Sequence, residues 1–307
     1  MDQIYSNFYK NFYLKTGGFI PTKPLNMNLY PGDFFQIKNG EIIVLGNIFR
    51  NNIINKLDVA LSMSHQHNEA SWNFSDGVSK PYSGREIANS PIEGKFEFSK
   101  QILAFLNKGS FIFKSVKPES LKINNWNEIQ QQLIIKLTQT LFTFRELYVV
   151  TESATTALST LAIASSYSAE LEIASDKENF GLVDLFGDSN TKTIQSKDIE
   201  YYHQEINRKP TYFKAKKLVV QDEKLSFFIS NLISNYENSS DWARDFFEYN
   251  FYYDTVYSPQ IKCNNAQACF LDMLQSNELN PNTALLYFKW ADANLDDVEK
   301  LFRNYGD

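Results

Sequence analysis

Residues 160–176 read TLAIASSYSAELEIASD, and their second half alternates residue by residue. Tyr167, Ala169, Leu171 and Ile173 fall on one face of an extended chain, and Ser168, Glu170 and Glu172 fall on the other. With Ser165-Ser166 as the turn, Thr155 to Ala164 and Tyr167 to Asp176 give two strands of ten residues each, within the roughly 9 to 11 that cross a bilayer as tilted β-strands. No charge lies between Ser153 and Ala169. Taken alone, the pattern fits an ordinary half-buried sheet. The second strand also meets the apolar-out, polar-in alternation of a barrel strand, while the first does so only weakly, since Leu158, Leu161 and Ile163 do not share one face. On insertion Leu158, Leu161, Ile163, Tyr167, Ala169, Leu171 and Ile173 are the residues expected in the membrane, with Glu170 and Glu172 toward water.

Working outward, ELYVVTE at 146–152 starts the strand run, and residues 126–144 before it carry Trp126, Ile129, Leu133, Leu137, Leu141 and Phe144 along one helical face. Further upstream, YPGDFFQIKNGEIIVLGN predicts a hairpin. Phe34 to Lys38 and Glu41 to Leu45 flank Asn39-Gly40, the dipeptide favoured in a type I′ turn. The opening segment places Tyr5, Phe8, Tyr9, Phe12 and Tyr13 at helical spacing and stops at Gly17-Gly18, with Lys10 and Lys15 beside the stripe. Such a stripe suits a core-facing helix, and the same ingredients suit an interfacial one.

Residues 64–94 are polar and rich in Ser, Asn, Gly and Pro, which predicts a long loop, and KQILAFLNKG predicts a short helix between strands KFEF and SFIFKSV. After a turn-rich span, KPTYFKAKKLVVQD gives a strand, and everything beyond reads as helical, including NPNTALLYFKWA and NLDDVEKLFRNY. The expected class is α+β: a twisted, mostly antiparallel sheet with surrounding helices, then a helical C-terminal segment. Residues 1–240 form the expected body and 241–307 the tail.

The chain has 307 residues and a formal charge of -6, but 1–240 holds 25 basic and 25 acidic residues while 241–307 holds 5 and 11. A neutral body thus carries an acidic tail, which suits a cover over a surface meant for something anionic. The acidic balance argues against nucleic acid as a partner. No apolar run reaches the roughly 18 residues of a membrane helix, and MDQIYSNFYK lacks a signal-peptide pattern, so a soluble intracellular precursor is expected. Cys263 and Cys269 build no disulfide framework.

Catalytic chemistry finds little support. His65 and His67 make the one H-x-H pair, yet Glu69 follows too closely for a cupin-type site and no further ligands can be named. Fingerprints for nucleotide binding, a nucleophile elbow or a zincin helix do not occur. No enzyme activity, metal or cofactor is expected.

The order of these segments resembles the gasdermin family, bacterial gasdermins in particular. The likeness covers about residues 1–235, and its most specific pieces are PGDFFQIKNGEIIVLGN and ELYVVTE with the small-residue strands after it. It implies an autoinhibited pore-former of cell death or anti-phage defence. In that family a protease removes the C-terminal segment, and the body oligomerises and unfurls two hairpins into a membrane β-barrel. Carried over, the implied partners are an activating protease, caspase-like or related, membrane lipids, and further copies of this chain. The precursor would be cytoplasmic and the product would sit in the inner membrane. Lys10, Lys15, Lys214, Lys216 and Lys217 are the expected lipid-binding cations. Cleavage is expected in SPQIKCNNAQA, around Ser258, Cys263, Asn264, Asn265 and Ala266, with YENSS at 236–240 as the other exposed connection.

Two features depart from the family. No cysteine lies near the N-terminus, so an N-terminal lipid anchor is not expected, and the tail exceeds the usual short inhibitory peptide. Two other classes remain open: a non-pore scaffold or adaptor with a partner-binding tail, and a β-rich metal-dependent enzyme using His65 and His67.

Overall fold

The computed structural model describes residues 3–64, 72–90, 94–140, 147–176, 184–221 and 281–303. An aromatic helix opens the chain: α1 (Gln3–Lys15) ends where Gly17 and Gly18 take φ of 70° and 97°. Phe8, Tyr9 and Phe12 of α1 are buried, so the aromatic stripe faces the core in this state.

Among the described residues eight strands form the larger sheet: β1 (Ile20–Pro21), β2 (Asp33–Lys38), β3 (Glu41–Asn47), β4 (Leu61–Ser64), β9 (Glu119–Ile123), β10 (Leu147–Thr155), β15 (Tyr212–Val220) and β16 (Phe288–Asp292). The β2–β3 hairpin turns at Asn39 and Gly40, whose φ of 53° and 74° are the positive values a type I′ turn requires. Strand β10 lies inside the sheet, antiparallel to β2, β9 and β15. Its Tyr148 and Val150 point to one face, where α1 packs, and its Leu147 and Val149 to the other, where α2 (Trp126–Thr140) packs.

The second sheet is bent. Strands β5 (Asn73–Asp76), β8 (Phe111–Val116), β11 (Leu158–Ala164) and β14 (Ile199–Glu205) pair in the order 14-11-8-5. Strands β6 (Val78–Ser90), β7 (Gly94–Phe105), β12 (Ala169–Ser175) and β13 (Lys192–Lys197) pair in the order 13-12-7-6. The two orders match because each strand of one set continues into a strand of the other through a short connection: 76–78, 105–111, 164–169 and 197–199. At every connection one residue takes a positive φ: Gly77 at 65°, Gly109 at 79°, Ser168 at 56° and Asp198 at 56°. Only glycine fits at Gly77, where a Cβ would collide with the Ser110 hydroxyl. The result is two long hairpins side by side, bent along one line.

Several sequence expectations change here. The described part of 64–94 is largely strand, since β5 and the whole of β6 run through it against β8 and β7. KQILAFLNKG is strand to Phe105, because β12 and β6 offer edges on both sides and Gln101, Leu103 and Phe105 then share one buried face. The turn-rich span after 176 contains β13 and β14. The small-residue strands 158–164 and 169–175 are consecutive yet do not pair with each other: β11 pairs β8 and β14, while β12 pairs β7 and β13. NPNTALLYFKWA breaks at Tyr287, helical as α3 (Pro281–Tyr287) and then extended as β16, because the open edge of β15 takes up Phe288 to Asp292. A last helix, α4 (Leu295–Lys300), follows. The remaining expected helices between 222 and 280 lie outside the described residues.

Candidate functional site

The C-terminal segment straddles the larger sheet. Helix α3 lies on the α2 face through Ala284, β16 covers the edge of β15 from Lys216 to Val220, and α4 lies on the α1 face through Val298 and Leu301. Phe288 is buried under α2, and the Trp290 indole N–H donates to the Gln130 carbonyl at 3.0 Å. Locally the sequence fixes the second helix: Asn294 caps it, and Asp297 returns a hydrogen bond to the Asn294 N–H in a capping box. The last turn reaches back to the β2–β3 hairpin. There a Cβ on Gly40 would come 2.9 Å from the Leu301 carbonyl oxygen, and the Lys23 ammonium donates to that same oxygen.

The acids of this segment meet the body's lysines. Asp297 is 1% exposed and accepts from the Lys217 ammonium and the Tyr148 hydroxyl, each at 2.8 Å. Asp292 pairs with Lys216 at 2.7 Å, and Glu299 with Lys10 at 2.8 Å. Burial pushes the Asp297 carboxyl upward, but Lys217, the Asn294 N–H and Tyr148 outweigh it, so the group stays below its ordinary value and remains charged. The hydrogen bond and charge of Lys10 likewise hold Glu299 low. The two exposed pairs are screened by solvent and contribute little each, whereas the buried one fixes position.

Of the five lysines expected to bind lipid, three therefore face the C-terminal segment. Lys214 instead lies over the Phe19 ring at 4.5 Å and near Glu152 at 3.8 Å, while Lys15 is exposed at the end of α1. Sequence reasoning named the lysines but missed Asp292, Asp297 and Glu299. The charge asymmetry of the tail was the available signal.

The residues expected to insert divide between two clusters. Leu161 and Ile163 pack against Phe111, Phe113 and α1. Ala169, Leu171 and Ile173 pack with Leu103, Phe105 and Ile112 on the other side, together with Leu185 and Phe186 from the segment between β12 and β13. Leu158 is half-buried, and Tyr167 is 72% exposed at the bend. Glu172 faces away from that cluster and pairs with Lys100 at 2.8 Å, which in turn lies 3.6 Å from Glu86.

Ser258, Cys263, Asn264, Asn265 and Ala266 lie outside the described residues, as do His65, His67 and Glu69. Among the described residues no group of three or more His, Cys, Asp or Glu side chains could hold a metal ion. No described helix is long and apolar enough to cross a membrane.

No protein-family model and no curated protein matches this chain. Among solved structures, the cryo-EM structure of the gasdermin A3 membrane pore is similar at 12% identity and a TM-score of 0.25, over 71% of this chain and 90% of that one. The architecture itself is sheet-rich, antiparallel and flanked by helices.

Proposed function

We propose that this chain is an autoinhibited pore-forming protein of gasdermin type, held inactive by residues 281–303 and activated when a protease cuts the tail. The observation that carries the reading is the pairing of Asp292, Asp297 and Glu299 with Lys216, Lys217 and Lys10. Removing the segment frees three cations on the body and strips β16 from the edge of β15. A freed cation near an anionic surface contributes about 1 kcal/mol, and an unpaired sheet edge is a template for another strand. Two adjacent hairpins supply the strands for a barrel, which must close because lipid satisfies no backbone hydrogen bond.

In this reading the precursor is cytoplasmic, the product enters the inner membrane as a homo-oligomer, and the role is cell death or anti-phage defence. The cut falls in 258–268, made by a caspase-like or related protease. No residue acts as a catalyst, and no cofactor takes part.

The test is dye release from anionic liposomes by the full chain and by chains ending between 236 and 268. Release by a folded truncation and none by the full chain is the expected result. Folded truncations that never release dye, while another protein binds the tail, would favour the adaptor.

A further inference from the structure

The inner strands of the bent sheet, β7–β8 and β11–β12, change parity at the bend. In β12 the odd-numbered Ala169, Leu171 and Ile173 face the cluster around Leu185 and Phe186, but in β11 the even-numbered Ala162 and Ala164 face it. The other strand repeats the change: Leu103 and Phe105 face that cluster before the bend and Ile112 after it, while Phe111 and Phe113 turn to α1. A straight strand cannot do this, because its side chains alternate strictly.

The register of the inner pair is nevertheless continuous. Leu161 faces Phe113 on one side of the bend and Leu171 faces Leu103 on the other, ten residues further along both strands. Straightening the pair therefore needs no slip, which a two-faced sheet would otherwise resist. It would set Leu161 and Ile163 on the same face as Leu171 and Ile173, and Phe111 and Phe113 on the same face as Leu103 and Phe105. From 101 to 113 and from 159 to 173 that odd-numbered face carries no charge. Lys100, Lys108, Lys114, Glu170 and Glu172 all take the opposite face. Both lengths exceed the roughly 9 to 11 residues that cross a bilayer.

The bend is filled by the segment from Asp184 to Thr191. Leu185 and Phe186 are each 1% exposed, and both of their N–H groups donate to the side-chain oxygen of the buried Gln101, at 3.1 and 3.2 Å. Asp184 pairs with Lys80 at 2.9 Å and with Lys114 at 3.7 Å, and the Asp188 carbonyl accepts from Gln204 at 2.8 Å.

We propose that this bend is a parity switch, pinned by residues 184–191: it splits one uncharged, bilayer-length face of the inner strands between two opposite cores, and straightening reunites that face toward lipid. The inference rests on the pore-forming reading.

Its test compares single cysteines at Ala162 and Leu171, which share a cluster in this structure, in a Cys263→Ser, Cys269→Ser chain with a protease site built into 258–268. The chain is cut on phosphatidylglycerol-containing liposomes, and labelling by a membrane-impermeant maleimide is followed with dye release. We expect Ala162→Cys to label at least tenfold faster after the cut while Leu171→Cys and Ile163→Cys stay protected. Dye release with Ala162→Cys and Leu171→Cys responding alike would overturn the switch and leave the pore intact. Absence of release from every cut chain would overturn both.

The pin has its own arm. A Cβ on Gly187 would lie 3.4 Å from Lys114 Cβ, close to disulfide spacing. A Gly187→Cys, Lys114→Cys chain in the Cys263→Ser, Cys269→Ser background, with loss of both free thiols verified after oxidation because Gly187 has a φ of 85°, should after the cut release no dye until a reductant is added. Equal release before and after reduction would show that residues 184–191 hold nothing in place.

Discussion

Strands β10 and β13 sit in different sheets and are made of different material. β10, LYVVTESAT, has seven of its nine residues buried, whereas all six residues of β13, KTIQSK, are exposed. The larger sheet carries helices on both faces, α1 with α4 and α2 with α3. The bent sheet has α1 against one half and residues 184–191 in the bend. Free energies of local opening follow the density of buried apolar contacts, so β10 belongs to the lasting part of the molecule and β13, on the outer edge of the bent sheet, to the part that opens most readily, while β11 between them is buried much as β10 is.

The contrast can be broken most directly by placing the same charge in each sheet. Val150→Asp buries a carboxylate at a fully buried position of β10 and should cost more than about 4 kcal/mol, leaving no folded protein. Ile194→Asp, at a residue of β13 that is 51% exposed, should stay within about 0.5 kcal/mol. Comparable urea midpoints for the two variants would erase the distinction.

The next largest effect concerns the clamp between the C-terminal segment and the larger sheet. Asp297→Ala leaves Lys217 without its buried partner and should cost about 3 kcal/mol of docking, read as faster proteolysis of the tail. The pH dependence follows from the sign of the shift. Asp297 binds its proton less readily when docked than when released, so its contribution is complete above the ordinary carboxylate value near 4 and is lost as pH falls below it. Tail proteolysis should accelerate as the pH falls below about 4 in the parent chain and lose that component in Asp297→Asn.

A smaller gain is expected inside the bent sheet. Among the described residues the buried Thr160 hydroxyl has no hydrogen-bond partner. Thr160→Val should therefore raise stability by about 1 kcal/mol, measurable as a higher urea midpoint, and should slow dye release by the cut chain. An unchanged midpoint would mean that β11 does not limit the opening of this sheet.

The smallest effect on folding should come at Tyr167, 72% exposed on the bend. Tyr167→Asp should change stability by less than about 0.5 kcal/mol and still suppress dye release, because a charge on a lipid face costs roughly 2 to 4 kcal/mol per subunit near the midplane. Ile163→Asp is a poorer probe, since Ile163 is fully buried against α1 and its loss would unfold the precursor. Full dye release by folded Tyr167→Asp would place the bend outside the bilayer.

Some of this molecule is settled within a few residues. Asn39-Gly40 makes its own turn through two positive φ values, Gly17-Gly18 stops α1, and the β-branched and aromatic run of ELYVVTE forms a strand. These features were legible because backbone sterics and local hydrogen bonds determine them. The alternation around Glu170 was equally legible, and so was the acidic excess of the tail.

Other features required the assembled chain. Residues 100–105 and 288–292 tolerate helical or extended periodicity, and the edges of β12, β6 and β15 select the strand. The pairing of Lys217 with Asp297 joins residues 80 apart, beyond the reach of any local pattern. Whether Ile163 and Leu171 share a face is decided by the bend, where Gly109 donates to Ala164, and Ser165 to Asp198, across neighbouring strands, each at 2.9 Å. Parity along a strand belongs to the sequence. Parity across a bend belongs to the assembled chain, since the neighbouring strands and the segment packed into the bend fix where the direction changes.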